Sequence, residues 1–423
     1  MPSLVVKNFS CVDDAELDLS KLTILIGPQA SGKSVISKLV YFFYDIIAKE
    51  YRAIEDQQTL SEFKETLTDE FKKWFPPSAW GSHHFVITFS AGPLFIKVTR
   101  LTGAKGGKGN VRINFSPYLE EHYLSVLAEY KSALAKRKKT EESGPPDFEL
   151  FWRIQSEANR KLERDLGRSF VSWQIFVPAG RSFFTSVGKA IAVFEYGGVL
   201  DPLTVQFGKF YAAIRDSRRS RMFFGRRPDR TAQEARNRMM HELFGGNIKF
   251  EREQEYVESE DGRRIPFATL SSGQQELLPL WLAVEYMQEG PTKSLIYIEE
   301  PEAHLFPTAQ SQLVEYLASI VSDPRADQRM LITTHSPYVL SEINILLKAG
   351  NVANKLPTSF DKISKIVQSK NWLAPDSTMA YAIVGKRLKK IIDSEGLIDG
   401  DYLDEVSGYL SREFNSLLAI EHP

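Results

Sequence analysis

Four short runs hold the residues whose types and spacing could do chemistry: GPQASGKS at 27–34, LSSGQQE at 270–276, IYIEEPEAHLFP at 296–307 and ITTHSP at 332–337. The first obeys G-x-x-x-x-G-K-[ST], a loop whose main-chain N–H groups can close around the β- and γ-phosphates of a nucleoside triphosphate at a helix start. Gly27, Pro28, Gln29, Ala30, Ser31, Gly32, Lys33 and Ser34 are therefore candidate nucleotide-binding residues. Lys33 would reach the β- and γ-phosphates as a point charge, and the Ser34 hydroxyl would ligate Mg²⁺. Glu299 and Glu300 close an apolar run. The first would hold Mg²⁺ through water and the second would polarise the attacking water, because phosphoryl transfer needs mainly positioning and charge neutralisation. Two acids that merely cap a surface strand are the lesser alternative. His335 closes another apolar run, where a neutral imidazole could hydrogen-bond the γ-phosphate or that water. A lone histidine is more often structural, but its position at a strand end about 35 residues after the acids favours chemistry.

These groups need a frame that brings distant stretches to one edge. The apolar run Leu22–Ile26 enters the 27–34 loop, and the helical pattern VISKLVYFFYDII leaves it. The runs LIYIEEP and Met330–Thr333 read as buried strands parallel to Leu22–Ile26, with their polar ends at the carboxyl edge where α/β sheets bind ligands. In LSSGQQE, Ser271, Ser272, Gly273 and Gln274 open the helix QQELLPLWLAVEYM. Their amides could meet a phosphate. Ser before Gln or Glu is equally the pattern of a simple N-cap.

Strands are expected at 3–9, 15–26, 84–90, 94–100 and 111–115, with a hairpin turn at Ala91-Gly92-Pro93 and a flexible loop GAKGGKG at 103–109. A helical hairpin is expected from Tyr118 to Arg168, broken at SGPPD (143–147), with Lys136–Lys139 near its tip. VSWQIFVPAGR (171–181) reads as a strand entering a loop, 205–245 as helical, and 247–270 as a hairpin turning at Asp261-Gly262. The residues from about 349 onward read as mostly helical. The resulting division is 1–50, 51–170, 171–348 and 349–423.

Composition is that of a globular protein, with 43% apolar and 25% charged residues and a net charge of −1. No global field advertises nucleic acid or a membrane, so such a partner would need a local patch. The single cysteine, Cys11, excludes an internal disulfide. The N-terminus lacks the pattern of a signal peptide, and no uncharged run approaches bilayer length. A cytoplasmic protein without a membrane partner is expected.

Together the four runs resemble the ATPase head of the ATP-binding-cassette superfamily, particularly its SMC-like and OLD-type branch, over residues 1–50 and 171–345. The resemblance implies an α/β fold: an ABC-type head with a β-rich and helical-hairpin insertion and a helical C-terminal region. It implies Walker A at Gly27–Ser34, the signature at Leu270–Gln274, Walker B at Ile296–Glu300, a D-loop-like segment at Glu302–Pro307, and the switch histidine His335. ATP and Mg²⁺ are the implied cofactors. In such heads Ser271 and Gly273 of one protomer face the γ-phosphate held by the other, so ATP joins a homodimer or a higher oligomer. Glu299 stands where the superfamily usually has aspartate, and Ser272 replaces a glycine. EEPEAHLFP is similar to bacterial AAA-type ATPases of OLD-like and anti-phage systems. For the Q-loop equivalent, Gln174 is one candidate, and PAGR (178–181) makes Arg181 a candidate phosphate or interface residue.

The run Arg215, Arg218, Arg219, Arg221, Arg226, Arg227, Arg230, Arg236 and Arg238 is a local basic excess. It could bind a nucleic-acid backbone, dock an acidic partner, or be a solvated face paired with the protein's own acids. OLD-type proteins join such a head to a nuclease domain. The acid-rich stretch at 393–405 lacks the strand-borne acidic triad of such a domain, which predicts that a nuclease or toxin effector would be a separate chain. The leading expectation is a sensor or regulatory ATPase of a phage-defence system. A DNA-repair ATPase that holds duplex ends is the alternative, and a transporter subunit suits the chain poorly.

Overall fold

The computed structural model describes residues 1–101, 109–140, 147–187, 200–219, 230–251, 254–290, 293–325 and 327–399. Its strands are β1 (Ser3–Phe9), β2 (Val12–Asp18), β3 (Leu22–Ile26), β4 (Val86–Ala91), β5 (Leu94–Arg100), β6 (Val111–Phe115), β7 (Trp173–Val177), β8 (Gly246–Phe250), β9 (Glu255–Ser259), β10 (Arg264–Pro266), β11 (Lys293–Glu299), β12 (Asp327–Thr334), β13 (Thr378–Val384) and β14 (Arg387–Lys390). The helices are α1 (Lys33–Glu55), α2 (Leu60–Trp74), α3 (Pro117–Thr140), α4 (Asp147–Leu166), α5 (Ser182–Val187), α6 (Pro202–Arg219), α7 (Arg230–Phe244), α8 (Ser272–Glu289), α9 (Pro307–Val321), α10 (Pro337–Lys355) and α11 (Phe360–Ile366).

Eleven strands form one mixed sheet in the order β6-β5-β4-β1-β2-β14-β13-β3-β12-β11-β7. The strands around β3 are parallel and buried on both faces, as their apolar runs require. Alternate residues feed two cores. Ile24, Ile296, Ile298, Met330 and Ile332 enter one, beneath α8, α9 and α10. Leu25, Leu295, Tyr297 and Leu331 enter the other, beneath α1, α2 and α3. The mixed α/β class with one large sheet is as expected. A smaller sheet, β10-β9-β8, holds the hairpin that turns at Gly262, where φ is 81°.

The strands expected within 51–170 form, and β4 pairs antiparallel with β1. They therefore extend the sheet that carries the 27–34 loop. Helices α3 and α4 make the expected hairpin, with Tyr130 edge-on to Phe151 at 5.1 Å. Most of the GAKGGKG loop and the side chains of Lys138 and Lys139 lie outside the described residues.

The expectation of a mostly helical tail is corrected. β13 inserts parallel beside β3, and β14 returns through a two-residue turn at Gly385 (φ 53°) and Lys386 (φ 65°). Both central residues have positive φ, the geometry that suits hairpin twist. The short run MAYAIV has no decisive period, so its state depends on the β3 edge it joins. The rest of the tail, 400–423, lies outside the described residues.

Candidate functional site

The order β13-β3-β12-β11-β7 sets the carboxyl ends of parallel strands side by side. The 27–34 loop leaves β3, His335 leaves β12, Glu300 leaves β11, and the 178–181 loop leaves β7. Pairing of Ile26 with Thr334, and of Glu299 with Thr333, brings the three runs to one level.

Gly32 has φ 109°, and a Cβ there would stand 2.7 Å from Val12 Cγ2, so glycine is required on both counts. Ala30 is also left-handed, at φ 58°. Pro28, Gln29, Ala30 and Ser34 are exposed, whereas Gly27 and Lys33 are buried. The Lys33 ammonium donates to the carbonyls of Gly27 (2.7 Å) and Pro28 (2.9 Å) and lies 3.4 Å from His335 Nδ1. Burial pushes its pKa down, against the pull of Glu300, Glu302 and Glu299.

His335 Nε2 lies 3.1 Å from Glu300 Oε1. With the Lys33 ammonium donating to Nδ1, a neutral ring carries its proton on Nε2 and donates it to Glu300. Lys33, His335 and Glu300 thus form one polar line. Glu302, placed by the sequence only at the start of the D-loop-like segment, fixes the histidine: its Oε1 accepts the Thr334 hydroxyl and the His335 N–H, both at 2.7 Å.

Three buried oxygens, Ser31 Oγ, Glu299 Oε1 and Glu302 Oε2, lack a hydrogen-bond partner within the chain. Such oxygens suit a hydrated divalent cation and its water shell. No group of three or more His, Cys, Asp or Glu among the described residues could hold a metal alone. Mg²⁺ does not demand one, since it is commonly held by one or two protein oxygens together with phosphates and waters.

The start of α8 is a capping box. Ser271 Oγ accepts the Gln274 N–H at 3.4 Å, and Gln274 Oε1 accepts the Ser271 N–H at 3.1 Å. The simple N-cap is therefore present, with Ser271 and Ser272 exposed. A Cβ on Gly273 would lie 2.6 Å from the His304 carbonyl, so this glycine lets α8 pack on the turn that follows Glu300.

Arg181 is corrected. It is 0% exposed, and its guanidinium donates to carbonyls of Pro178, Glu276, Glu299 and Glu300 rather than facing a phosphate or an interface. Gln174 is likewise committed inside the fold, to Tyr41 O and the Tyr297 hydroxyl. In both cases sequence shows the residue type but not which way the side chain turns.

Of the basic run, Arg219, Arg221, Arg226, Arg227 and Arg230 have side chains outside the described residues. Arg215 pairs with Glu255, Arg218 with Glu289 at 2.9 Å, and Arg236 with Glu285. For these three, pairing with the protein's own acids is the arrangement found. Phe207 packs in the core; Phe223 and Phe224 lie outside the described residues. No helix among the described residues is long and apolar enough to cross a membrane.

The family model described as AAA ATPase domain matches residues 1–160 and 226–340, and the chain belongs to that family. It is a nucleotide-binding ATPase. It is also similar to a protein named OLD nuclease from Thermus scotoductus, with 23% identity over 359 residues, 81% of this chain. The chain spans 60% of that relative's length. Among solved structures, it is similar to a SmcHead bound to the C-winged helix domain of ScpA, with 12% identity over 92% of this chain and 96% of that one, at a TM-score of 0.39. It is also similar to an SMC head domain from Thermotoga maritima, with 13% identity over 92% and 97% of the two chains, at a TM-score of 0.36.

Proposed function

We propose that this ATPase binds ATP at the 27–34 loop, hydrolyses it with Glu300 and His335, and closes on a second copy through Ser271 and Gly273. We further propose that its ATP state controls a separate effector, a nuclease or toxin, in bacterial anti-phage defence. The observation behind the chemistry is the line Lys33–His335–Glu300 at adjacent strand ends. Lys33 meets the β- and γ-phosphates, exchanging its loop carbonyls for them. Glu300 accepts a proton from the attacking water, and His335 holds that carboxylate in register with Lys33, which carries the contact to the γ-phosphate. Ser34 and Glu299 would hold Mg²⁺, which supplies charge neutralisation on the phosphates when bound.

The second copy is supported by exposed Ser271 and Ser272 at the start of α8, next to buried Gly273, and by exposed Phe306 and Tyr338 shortly after the two catalytic residues. Effector control is supported by the likeness to a longer protein named a nuclease. The internal pairing of Arg215, Arg218 and Arg236 makes these three less available to a nucleic-acid backbone.

Light scattering tests the assembly. Glu300→Gln with saturating ATP should double in mass while Lys33→Ala does not, and an unchanged mass in both would sink the shared site. Glu300→Gln purified from its host in ATP should also retain a protein that Lys33→Ala lacks. Identical sets of bound proteins would sink effector control.

A further inference from the structure

We propose that Arg181 and Glu276 are positioning residues for hydrolysis: they tie the first turns of α8 to the Glu299–Glu300 turn and so fix where the Glu300 carboxylate stands. This rests on Glu300 being the group that activates water.

Arg181 lies between three chain segments. Its Nε donates to Glu276 O at 3.0 Å, Nη1 to Pro178 O at 3.1 Å and Glu299 O at 2.6 Å, and Nη2 to Glu300 O at 3.0 Å. Glu276, 2% exposed, answers with its carboxylate, accepting the Arg181 N–H at 2.7 Å and the Ser182 N–H at 3.0 Å. The clamp therefore closes from both sides. It begins one turn beyond Ser271 and ends on the main chain of the two acids.

The acid turn needs holding. Glu300 has φ 44°, a region sparsely populated by residues with a side chain. Its N–H donates to Thr333 O at 2.9 Å, and its carbonyl takes Arg181 Nη2. With both peptide groups fixed, the side chain arrives 3.1 Å from His335 Nε2. Released from Arg181, the turn can relax and carry the carboxylate away. The hydrogen bonds of Arg181 go to Pro178, Glu276, Glu299 and Glu300 and not to the 27–34 loop, so turnover should fall while nucleotide binding stands. Lysine cannot substitute, because a single ammonium lacks the planar fork that spans several carbonyls.

The test measures ATP turnover and equilibrium binding of a fluorescent ATP analogue in full-length wild type, Arg181→Lys, Glu276→Gln and Glu300→Gln. Turnover is expressed per titrated nucleotide site, which removes any loss of folded protein. Arg181→Lys and Glu276→Gln should each lower kcat at least tenfold, with affinity within twofold of wild type. Wild-type kcat per site in Glu276→Gln, with Glu300→Gln inactive, overturns the positioning role alone, whether or not Arg181→Lys folds. Wild-type kcat in Glu300→Gln overturns the assignment of Glu300 and this proposal with it. Equal loss of kcat and affinity in Glu276→Gln also overturns it, because the frame would then serve binding.

Discussion

Two buried cations stand in this site and are held in opposite ways. Lys33 places one ammonium on two carbonyls of its own loop and against His335, and close by are oxygens without a partner in the chain: Ser31 Oγ, Glu299 Oε1 and Glu302 Oε2. Arg181 spreads a rigid fork over carbonyls from three segments, and Glu276 closes the arrangement around its main chain. Burial pushes both pKa values down. The difference shows which cation can change partners. A point charge on a flexible stem beside unmatched oxygens is prepared for a ligand, whereas a guanidinium whose donors meet carbonyls is framework.

One substitution made at both positions separates them most sharply. Arg181→Met should cost about 3–5 kcal/mol of stability, since removing one side of a buried charged network strands the rest. Lys33→Met should stay within about 1 kcal/mol, because the desolvation cost of its ammonium offsets the lost hydrogen bonds. Urea unfolding measures both, and equal losses would erase the distinction. Gly273→Ala comes next. The added methyl meets the His304 carbonyl at 2.6 Å, so packing of α8 on the acid turn should weaken by about 1–3 kcal/mol. A stability equal to wild type would show that this contact yields easily.

The smallest effect is the pH dependence of Lys33. Its pKa in the fold is lowered from 10.5, so the folded chain binds this proton less tightly than the unfolded chain does. The contribution from this group is present above 10.5 and is lost as pH falls through the lowered value. Lys33→Met removes that loss. Relative to wild type, the variant should therefore look better at pH 8 than at pH 10.5. A difference that is flat with pH would contradict a desolvated ammonium.

Much of the Lys33 half was legible in the sequence, because its signals are local. Leu22–Ile26, the 27–34 spacing and the apolar run behind it specify strand, loop and helix within one stretch of chain. The acids and His335 were legible as polar ends of apolar runs. The Arg181 half was not, because its bonds join residues about a hundred positions apart. Glu276 reads as part of a capping pattern until α8 is turned toward the 178–182 loop. Glu302 reads as one more acid in EEPE, and only the turn with φ 44° at Glu300 and φ 59° at His304 brings it under His335. Likewise, the arginine-rich run shows its charge in sequence, but its partners Glu255, Glu285 and Glu289 come from elsewhere in the fold.

The most direct test of the central claim is phosphate release from ATP, measured together with nucleotide binding, in wild type, Lys33→Ala and Glu300→Gln. Glu300→Gln should bind ATP as wild type does yet hydrolyse it at least about 100-fold more slowly, the scale expected for loss of a general base. Lys33→Ala should fail at binding. Wild-type hydrolysis by Glu300→Gln, or wild-type binding and turnover by Lys33→Ala, would contradict catalysis at the Lys33–His335–Glu300 line.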